Sequence, residues 1–387
     1  MSAAYQIPPG QSVVLNCVRI LATLAVFLGH ATKPDVLFDV DIALIGRATI
    51  PVFLMLSGYF LARAVSAGGQ FKTAVLKRYF GLYHVVLPGI VILFLADLWL
   101  VQAGSPILEN SKFDSEISVH RFLVETFQAL TFSGAYWRVD PLSQGLFANQ
   151  SYWTVEYIMA YMAATSAIYL LSGFTRFAVV AVIALIAGPT ILLLSPLWFA
   201  GVVAFEIHKQ CHAAWVLECS GRADEAARWP RFVRSWAPLY GAIGLIVVVY
   251  IERSGLGSWV YDESKTWASF EFRQHLGMAK RFAWQWMLVP GLFLIVVASK
   301  YLIYWTPSEK TRNWTKRVAR HNLPIYMFHF SMIYVVQSMI PDYQPHWWSP
   351  DPYLMMAGAL VLTLSISIVC SRYVKPIADR VLAKALS

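Results

Sequence analysis

Apolar residues along this chain are gathered into ten windows that are separated by polar and charged segments. Most windows run for about 18 to 22 residues, and a helix of that length crosses a hydrocarbon core of about 30 Å. The sixth and seventh windows are shorter. The pattern predicts an all-α, polytopic integral membrane protein with about ten transmembrane helices, at 13–32, 48–66, 79–101, 152–172, 177–194, 196–209, 237–252, 282–300, 322–341 and 353–371.

Composition excludes a soluble globular domain, because 58% of the 387 residues are hydrophobic and only 14% are charged. Most Lys and Arg residues fall in the segments on the same side as the N-terminus, which the positive-inside rule places in the cytoplasm. We therefore expect both termini to be cytoplasmic. The net charge of +9 then reflects membrane topology, and nucleic-acid binding is not expected.

A single transmembrane domain over 1–387 is expected, since no repeat, low-complexity tract or fused soluble domain is evident. Residues 1–12 lack the basic start of a cleavable signal peptide, so the first helix should be retained. The four cysteines fall in predicted spans or on the cytoplasmic side, where disulfides are not expected.

Residues 119–130 in the predicted outer segment have the spacing of an amphipathic helix. We expect this helix to lie on the outer surface, where it could roof a site. Its apolar positions, opposite Glu125 and Gln128, are Val119, Phe122, Leu123, Phe127 and Leu130.

The predicted inner loop at 210–236 is charged and expected to be ordered only in part. Together with the end of the sixth helix it holds His208, Cys211, His212 and Cys219. This spacing matches no established zinc-ligand pattern, so a solvated loop without a metal is the favoured interpretation.

An arginine and a histidine interrupt the first window, "VRILATLAVFLGHA". Arg19 and His30 are eleven residues apart, which is close to three full helical turns, so they share one helix face about 16 Å apart. Inserting a charged arginine at mid-helix depth costs about 2.5 to 3.5 kcal/mol, so both side chains should face a polar interior. Intramembrane ionisable residues are functional by default, with a structural arginine and a core histidine as the alternative.

Other polar residues also fall at membrane depth. Glu156 lies near the outer end of the fourth window and His329 near the middle of the ninth. Ser57 and Gly58 lie midway along the second window, where simple helix packing is the favoured explanation. Lys77 and Arg78 open the third helix at the cytoplasmic side; they fit either a topology signal or a site for a phosphate-bearing ligand.

Four motifs in this order resemble the bacterial membrane acyltransferase-3 family. They are the Arg19/His30 pair, "PVFLMLSGYFL" at 51–61, "YWTVE" at 152–156 and "LPIYMFHF" at 323–330. The resemblance covers nearly the whole chain. It implies transfer of an acyl group, most often acetyl from acetyl-CoA, to hydroxyls of exopolysaccharide, lipopolysaccharide or a lipid-linked sugar, in the bacterial inner membrane and in contact with its lipids.

The resemblance also implies roles for individual residues. His30 is the expected catalytic histidine, Arg19 its motif partner, and Lys77 with Arg78 the donor-side basic cluster. Glu156 is expected to be a catalytic carboxylate. His329, Ser57 and Tyr326 are expected to lie near the site. One departure is that Gly81 stands where the family often has a second arginine, three residues after Arg78.

Two mechanisms and two other function classes stay open at this point. His30 acts either as a general base on the acceptor hydroxyl or as a nucleophile that forms an acyl-histidine. A transporter or flippase would instead use Arg19, Glu156 and His329 to bind substrate or relay protons. A structural scaffold is the third class, and it gives no reason for Arg19 and His30 to share a face.

Overall fold

The computed structural model describes residues 5, 7–32, 36–37, 49–105, 118–136, 147, 149–222, 224, 227–264, 282–303, 305–340 and 350–386. These residues form helices joined by short turns, which confirms the predicted all-α class. The helices are α1 (Pro9–Ala31), α2 (Thr49–Ser66), α3 (Phe71–Gln102), α4 (Val119–Thr131), α5 (Trp153–Leu170), α6 (Gly173–Ala187), α7 (Pro189–Cys219), α8 (Trp229–Ser235), α9 (Ala237–Arg253), α10 (Leu256–Ser264), α11 (Phe282–Leu302), α12 (Glu309–Ala319), α13 (Asn322–Gln337), α14 (Asp351–Val369) and α15 (Lys375–Leu386).

Each predicted window falls on a helix, but a count of ten crossings is not confirmed. Within the described ranges, six helices are long and apolar enough to cross a membrane, or seven if the bent pair α8 and α9 is one span. If α8 and α9 are counted as one span, three predicted windows have no such helix, and these correspond to α5, α6 and α13. The last two have only 15 and 16 residues, fewer than the roughly 20 that a span needs, and α13 is buried by its neighbours along almost its whole length.

The boundary between the fifth and sixth helices was predicted at 195 and lies instead at Gly188. Gly188 has φ +80°, which favours glycine, and Pro189 then begins α7 at a position that needs no backbone N–H. Pro196 lies inside α7. The helix also continues to Cys219, so the first ten residues of the predicted inner loop are helical.

Glycines allow the backbones of α2 and α7 to cross at close range. A Cβ at Gly58 of α2 would collide with the carbonyl oxygen of Trp198 in α7, and a Cβ at Gly201 of α7 would collide with that of Met55 in α2. Small residues let helix backbones approach in this way within membranes. The packing role predicted for Gly58 is therefore confirmed.

The amphipathic helix predicted at 119–130 is α4, but its predicted position flat on the outer surface is wrong. Arg121, near its start, pairs with Asp97 of α3 at 3.1 Å. Near its end, the carbonyl oxygen of Leu130 accepts hydrogen bonds from Tyr83 and Tyr79, 14 and 18 residues earlier along α3 than Asp97. Helix α4 thus packs antiparallel along α3, since its charged face finds buried partners there.

Two large hydrophobic clusters form most of the core, and α1 and α5 contribute to both of them. The first cluster includes Leu15 of α1 with side chains of α2, α7 and α11, and the second includes Phe27 of α1 with side chains of α3, α13 and α14. In α5, Tyr157 belongs to the first cluster and Val155 to the second. Helices α1 and α5 therefore lie where the two clusters meet. These are the helices that carry the polar face of α1 and Glu156.

Candidate active site

Helix α1 carries both members of the predicted pair on one unbroken helix. Arg19 lies at its middle and His30 in its last turn, and both side chains are partly buried. Along an α-helix eleven residues span about 16 Å, as the sequence predicts. A histidine cation in the last turn would also interact favourably with the carbonyl end of the helix dipole.

The ring of His30 packs against two aromatic rings of α13. Its centroid lies 5.1 Å from that of His329 and 5.1 Å from that of Phe330, which it meets edge to face. His329 is fully buried, and its Nδ1 lies 2.7 Å from the carbonyl oxygen of Tyr326. Because a carbonyl oxygen only accepts, Nδ1 of His329 carries the proton, and this bond fixes the orientation of the ring against which His30 packs.

Arg19 is held between two aromatic rings of α2. The guanidinium carbon lies 5.3 Å from the centroid of Phe60 and 5.8 Å from that of Phe53, within the range of cation–π interactions. Its Nε is buried and has no hydrogen-bond partner among the residues described. The aromatic faces thus stabilise the positive charge, while donor positions of the guanidinium remain for a ligand.

Phe53 and Tyr326 connect the arginine to the histidines. Their rings stack with centroids 5.5 Å apart and an interplanar angle of 12°. The hydroxyl of Tyr326 lies 2.8 Å from that of Thr154 in α5. A continuous line of contacts therefore runs from Arg19 through Phe53 and Tyr326 to His329 and so to His30.

Glu156 is 4% exposed in the first turn of α5. One oxygen accepts a hydrogen bond from the backbone N–H of Gly134 at 2.8 Å. A side chain at Gly134 would have to displace this carboxylate, because its Cβ would collide with it. The segment after α4 therefore contacts Glu156, and the carboxylate is held within the protein.

The turn before α5 attaches that helix to α13. The Asn149 side chain accepts from the backbone N–H of Ser151 at 2.9 Å, which caps the turn at Gln150–Tyr152. Its amide nitrogen donates to the carbonyl oxygen of Met327. Asn149 is completely buried, so it fixes the position of Thr154 and Glu156 relative to His329.

Lys77 and Arg78 lie in the second turn of α3, which begins at Phe71 and not at the predicted 79. Lys77 is exposed, whereas Arg78 is partly buried and donates through Nη1 to the carbonyl oxygen of Ala74 at 2.8 Å. In the contacts of the described residues, these two side chains do not join the line from Arg19 to His30.

Ser57 is partly buried on α2, four residues after Phe53 and three before Phe60. This spacing places it on the helix face that meets Arg19. From the sequence we also expect Trp137, Arg138 and Asp140 at the outer mouth of the site, and these three residues lie outside the described ranges.

A second buried polar cluster was not predicted. Nδ1 of His208 lies 2.7 Å from the hydroxyl of Tyr59, and its Nε2 lies 2.9 Å from the carbonyl oxygen of Val297. Gln11 of α1 joins this cluster by donating to Ser299 at 3.0 Å. Within the described ranges no three His, Cys, Asp or Glu side chains are grouped to hold a metal ion, and His208 and His212 do not form such a site.

Phe53 and Phe60 are the site residues that sequence reasoning missed. Aromatic residues in an apolar window read as packing or lipid-facing positions. Their spacing around Ser57 was the available signal, because positions i, i+4 and i+7 share a helix face.

Comparison with known proteins agrees with this architecture. A family model described as an acyltransferase domain matches residues 13–372, which include α1 with Arg19 and His30, α5 with Glu156 and α13 with His329. No curated protein and no solved structure matches this chain. Because the model covers most of the chain, this multi-pass membrane protein belongs to the acyltransferase 3 family and is an acyltransferase.

Proposed function

We propose that this acyltransferase moves an acyl group, acetyl in the simplest case, from cytoplasmic acyl-CoA to a hydroxyl of a cell-surface or exported glycan. The observation that carries the proposal is the line of contacts that joins Arg19 to His30 through Phe53, Tyr326 and His329. It supports one site that combines a fixed imidazole with a cation whose donors are available.

The donor is proposed to approach from the side of Lys77 and Arg78, at the start of α3. Positive side chains there suit the phosphates of coenzyme A, because charge-assisted hydrogen bonds to phosphate are strong. One nitrogen of the Arg78 guanidinium, Nη1, donates to the carbonyl oxygen of Ala74. The other nitrogens of the guanidinium are proposed to bind the phosphates. With both termini in the cytoplasm, as the positive-inside rule predicts, these residues lie at the inner face of the bacterial inner membrane.

In the proposed reaction His30 acts as the general base. The acceptor hydroxyl gives its proton to the imidazole as its oxygen bonds to the thioester carbonyl carbon. The carbon–sulfur bond then breaks, and the imidazolium returns the proton to the leaving thiolate. Contacts with His329 and Phe330 keep the His30 ring in place, which limits the entropy lost on reaching the reactive geometry.

Arg19 and Glu156 have supporting roles in this proposal. The donors of Arg19 suit the negative charge that develops on the thioester oxygen, and its aromatic surroundings exclude water that would weaken the interaction. Glu156 is proposed as the carboxylate that favours the protonated form of His30. An acyl-histidine intermediate is the competing mechanism, and a burst of free thiol in pre-steady-state kinetics would support it over direct transfer.

The function is tested on cells that lack the gene and are complemented with the wild-type chain. Mass spectrometry of surface and lipid-linked glycans before and after mild alkali detects ester-linked acyl groups. The proposal expects an ester that disappears in the deletion and returns on complementation, with a mass increment that names the acyl group. A change in the amount of exported glycan without any change in ester content would instead support a transporter or flippase and contradict the proposal.

A further inference from the structure

A cavity outside the acyltransferase site lies where the ends of α7 and α11 meet α8. Its volume is about 210 Å³. The positive-inside rule predicts that the polar residues between α7 and α8 are cytoplasmic, so we expect this cavity at the cytoplasmic interface of the membrane. Its lining includes the side chains of Trp215, Glu218, Arg231, Arg234, Lys300 and Tyr301.

The lining has an excess of positive charge. Arg231 and Arg234 both reach the Glu218 carboxylate, at 2.7 Å and 3.4 Å, so a single carboxylate is shared by two guanidinium groups. Lys300 adds a third cation. Its Nζ donates to the carbonyl oxygen of His208 at 2.7 Å and pairs with no carboxylate in the described part of the chain.

One exposed aromatic ring lines this positive cavity. Trp215, near the end of α7, is 49% exposed. Tryptophan at a helix end is typical of the level of the lipid headgroups. A ligand in this cavity would therefore place its anionic part on the cations and an apolar part along the indole of Trp215.

We propose that this cavity binds the phosphate of an acidic phospholipid from the adjoining leaflet. Basic pockets between membrane helices on the cytoplasmic side are suited to such headgroups, and the exposed indole of Trp215 fits an acyl chain better than a soluble anion. The bound lipid would hold α8 against α7 and α11. This inference does not depend on the proposed acyl-transfer reaction, and its test measures lipid binding alone.

The test uses the full-length protein in nanodiscs of phosphatidylcholine, with or without phosphatidylglycerol. Lipid binding is followed by native mass spectrometry and by the midpoint of thermal unfolding. The wild-type protein should retain phosphatidylglycerol and unfold at a higher temperature in its presence. Arg234→Gln and Lys300→Gln should each weaken retention by about fivefold, as expected for one cation near the membrane surface. Arg317→Gln, which removes an exposed cation of α12, is the matched control and should leave retention unchanged.

Two results would overturn the proposal. One is equal retention of phosphatidylglycerol by the wild-type protein and both cavity variants. The other is stabilisation by a soluble phosphate compound and not by the lipid. In this case adenosine 3′,5′-bisphosphate would stabilise the protein in phosphatidylcholine discs, saturably and in dependence on Arg234 and Lys300, whereas phosphatidylglycerol would give no stabilisation. That outcome would assign the cavity to a soluble phosphate ligand.

Discussion

His208 and His30 lie in two regions of this protein that differ in the contacts of the histidine ring. His208 is completely buried, and both of its ring nitrogens have protein partners, the hydroxyl of Tyr59 and the carbonyl oxygen of Val297. His30 is only partly buried and lies edge to face against Phe330. A histidine with both nitrogens occupied in the core can position helices but cannot exchange a proton with a substrate, whereas a partly accessible one can.

The cations of the two regions differ in the same way. Lys300 and Arg19 both lie over aromatic rings, with Tyr5 4.9 Å from the Lys300 nitrogen and Phe60 5.3 Å from the Arg19 carbon. Lys300 also has a hydrogen-bond partner within the protein, because it donates to the carbonyl oxygen of His208. Arg19 keeps a buried Nε without a partner among the described residues. The comparison supports the proposal that the chemistry belongs to the region of His30 and structural support to that of His208.

The largest expected effect is on the activity of His30→Gln. Glutamine approximates the size of histidine but cannot act as a base, so acyl transfer per folded molecule should fall by about 10²- to 10⁴-fold. Transfer is measured as ester formation in membranes that contain matched amounts of protein. His120→Gln, at an exposed position of α4, is the control and should keep full activity. Normal activity of His30→Gln would remove the distinction between the two histidines.

Arg19→Gln should have the next largest effect, a loss of about 10²-fold in kcat, as for removal of a donor to a developing oxyanion. Arg19→Lys keeps the charge but loses the planar group that stacks between Phe53 and Phe60, so it should recover only part of the activity. Steady-state kinetics of both variants check the order. Full activity of Arg19→Gln would show that this arginine is structural, like Lys300.

Arg78→Gln should raise the apparent KM for the acyl donor by about tenfold and leave kcat nearly unchanged, because it removes a charge-assisted contact made before the reaction. Lys72→Gln, at an exposed position of the same helix, serves as the control. An unchanged KM in Arg78→Gln would leave this residue as a topology signal and move the donor site elsewhere.

His208→Phe should reduce stability without removing activity. The phenyl ring removes the hydrogen bonds of His208 to the Tyr59 hydroxyl and to the Val297 carbonyl oxygen, at a cost of about 0.5 to 1.5 kcal/mol for each bond. The midpoint of thermal unfolding should fall, while activity per folded molecule stays close to that of the wild type. Loss of activity with an unchanged midpoint would contradict the structural role.

The smallest effect is expected for Phe53→Leu. This change removes the stack with Tyr326 and one of the two rings over Arg19, interactions worth about 0.5 to 1.5 kcal/mol, so kcat should fall only a few-fold. Phe53→Tyr keeps the ring and should preserve activity. Equal kinetics for leucine and tyrosine at this position would show that the line of contacts from Arg19 to His30 has no influence on the reaction.

The sequence predicts the helical class and the central pair well because both follow from the cost of burying polar groups in lipid. Apolar windows of membrane length predicted helices that the structure confirms, and Arg19 was conspicuous as a cation well inside a window, away from its ends. The count of crossings was less predictable. Helices buried inside a bundle, such as α13, can be apolar without being long enough to span.

Pairings between helices were not predictable from periodicity alone. The pattern of 119–130 gave the two faces of α4 but not that Arg121 pairs with Asp97 of α3. Similarly, the partners of His208 come from α2 and α11, which are far away in sequence. The contacts of Phe53 with Arg19 and Tyr326 link three separate helices, and nothing in a single sequence records which helices are neighbours.

The most direct test of the account compares the two histidine variants in one experiment. Cells that lack the gene are complemented with the wild-type chain, His30→Gln or His208→Phe, and ester-linked acyl groups on surface glycan are divided by the amount of folded protein in the membrane. The account predicts a normal ratio for His208→Phe and almost no ester for His30→Gln. A normal ratio for His30→Gln would contradict the assignment of the chemistry to this residue.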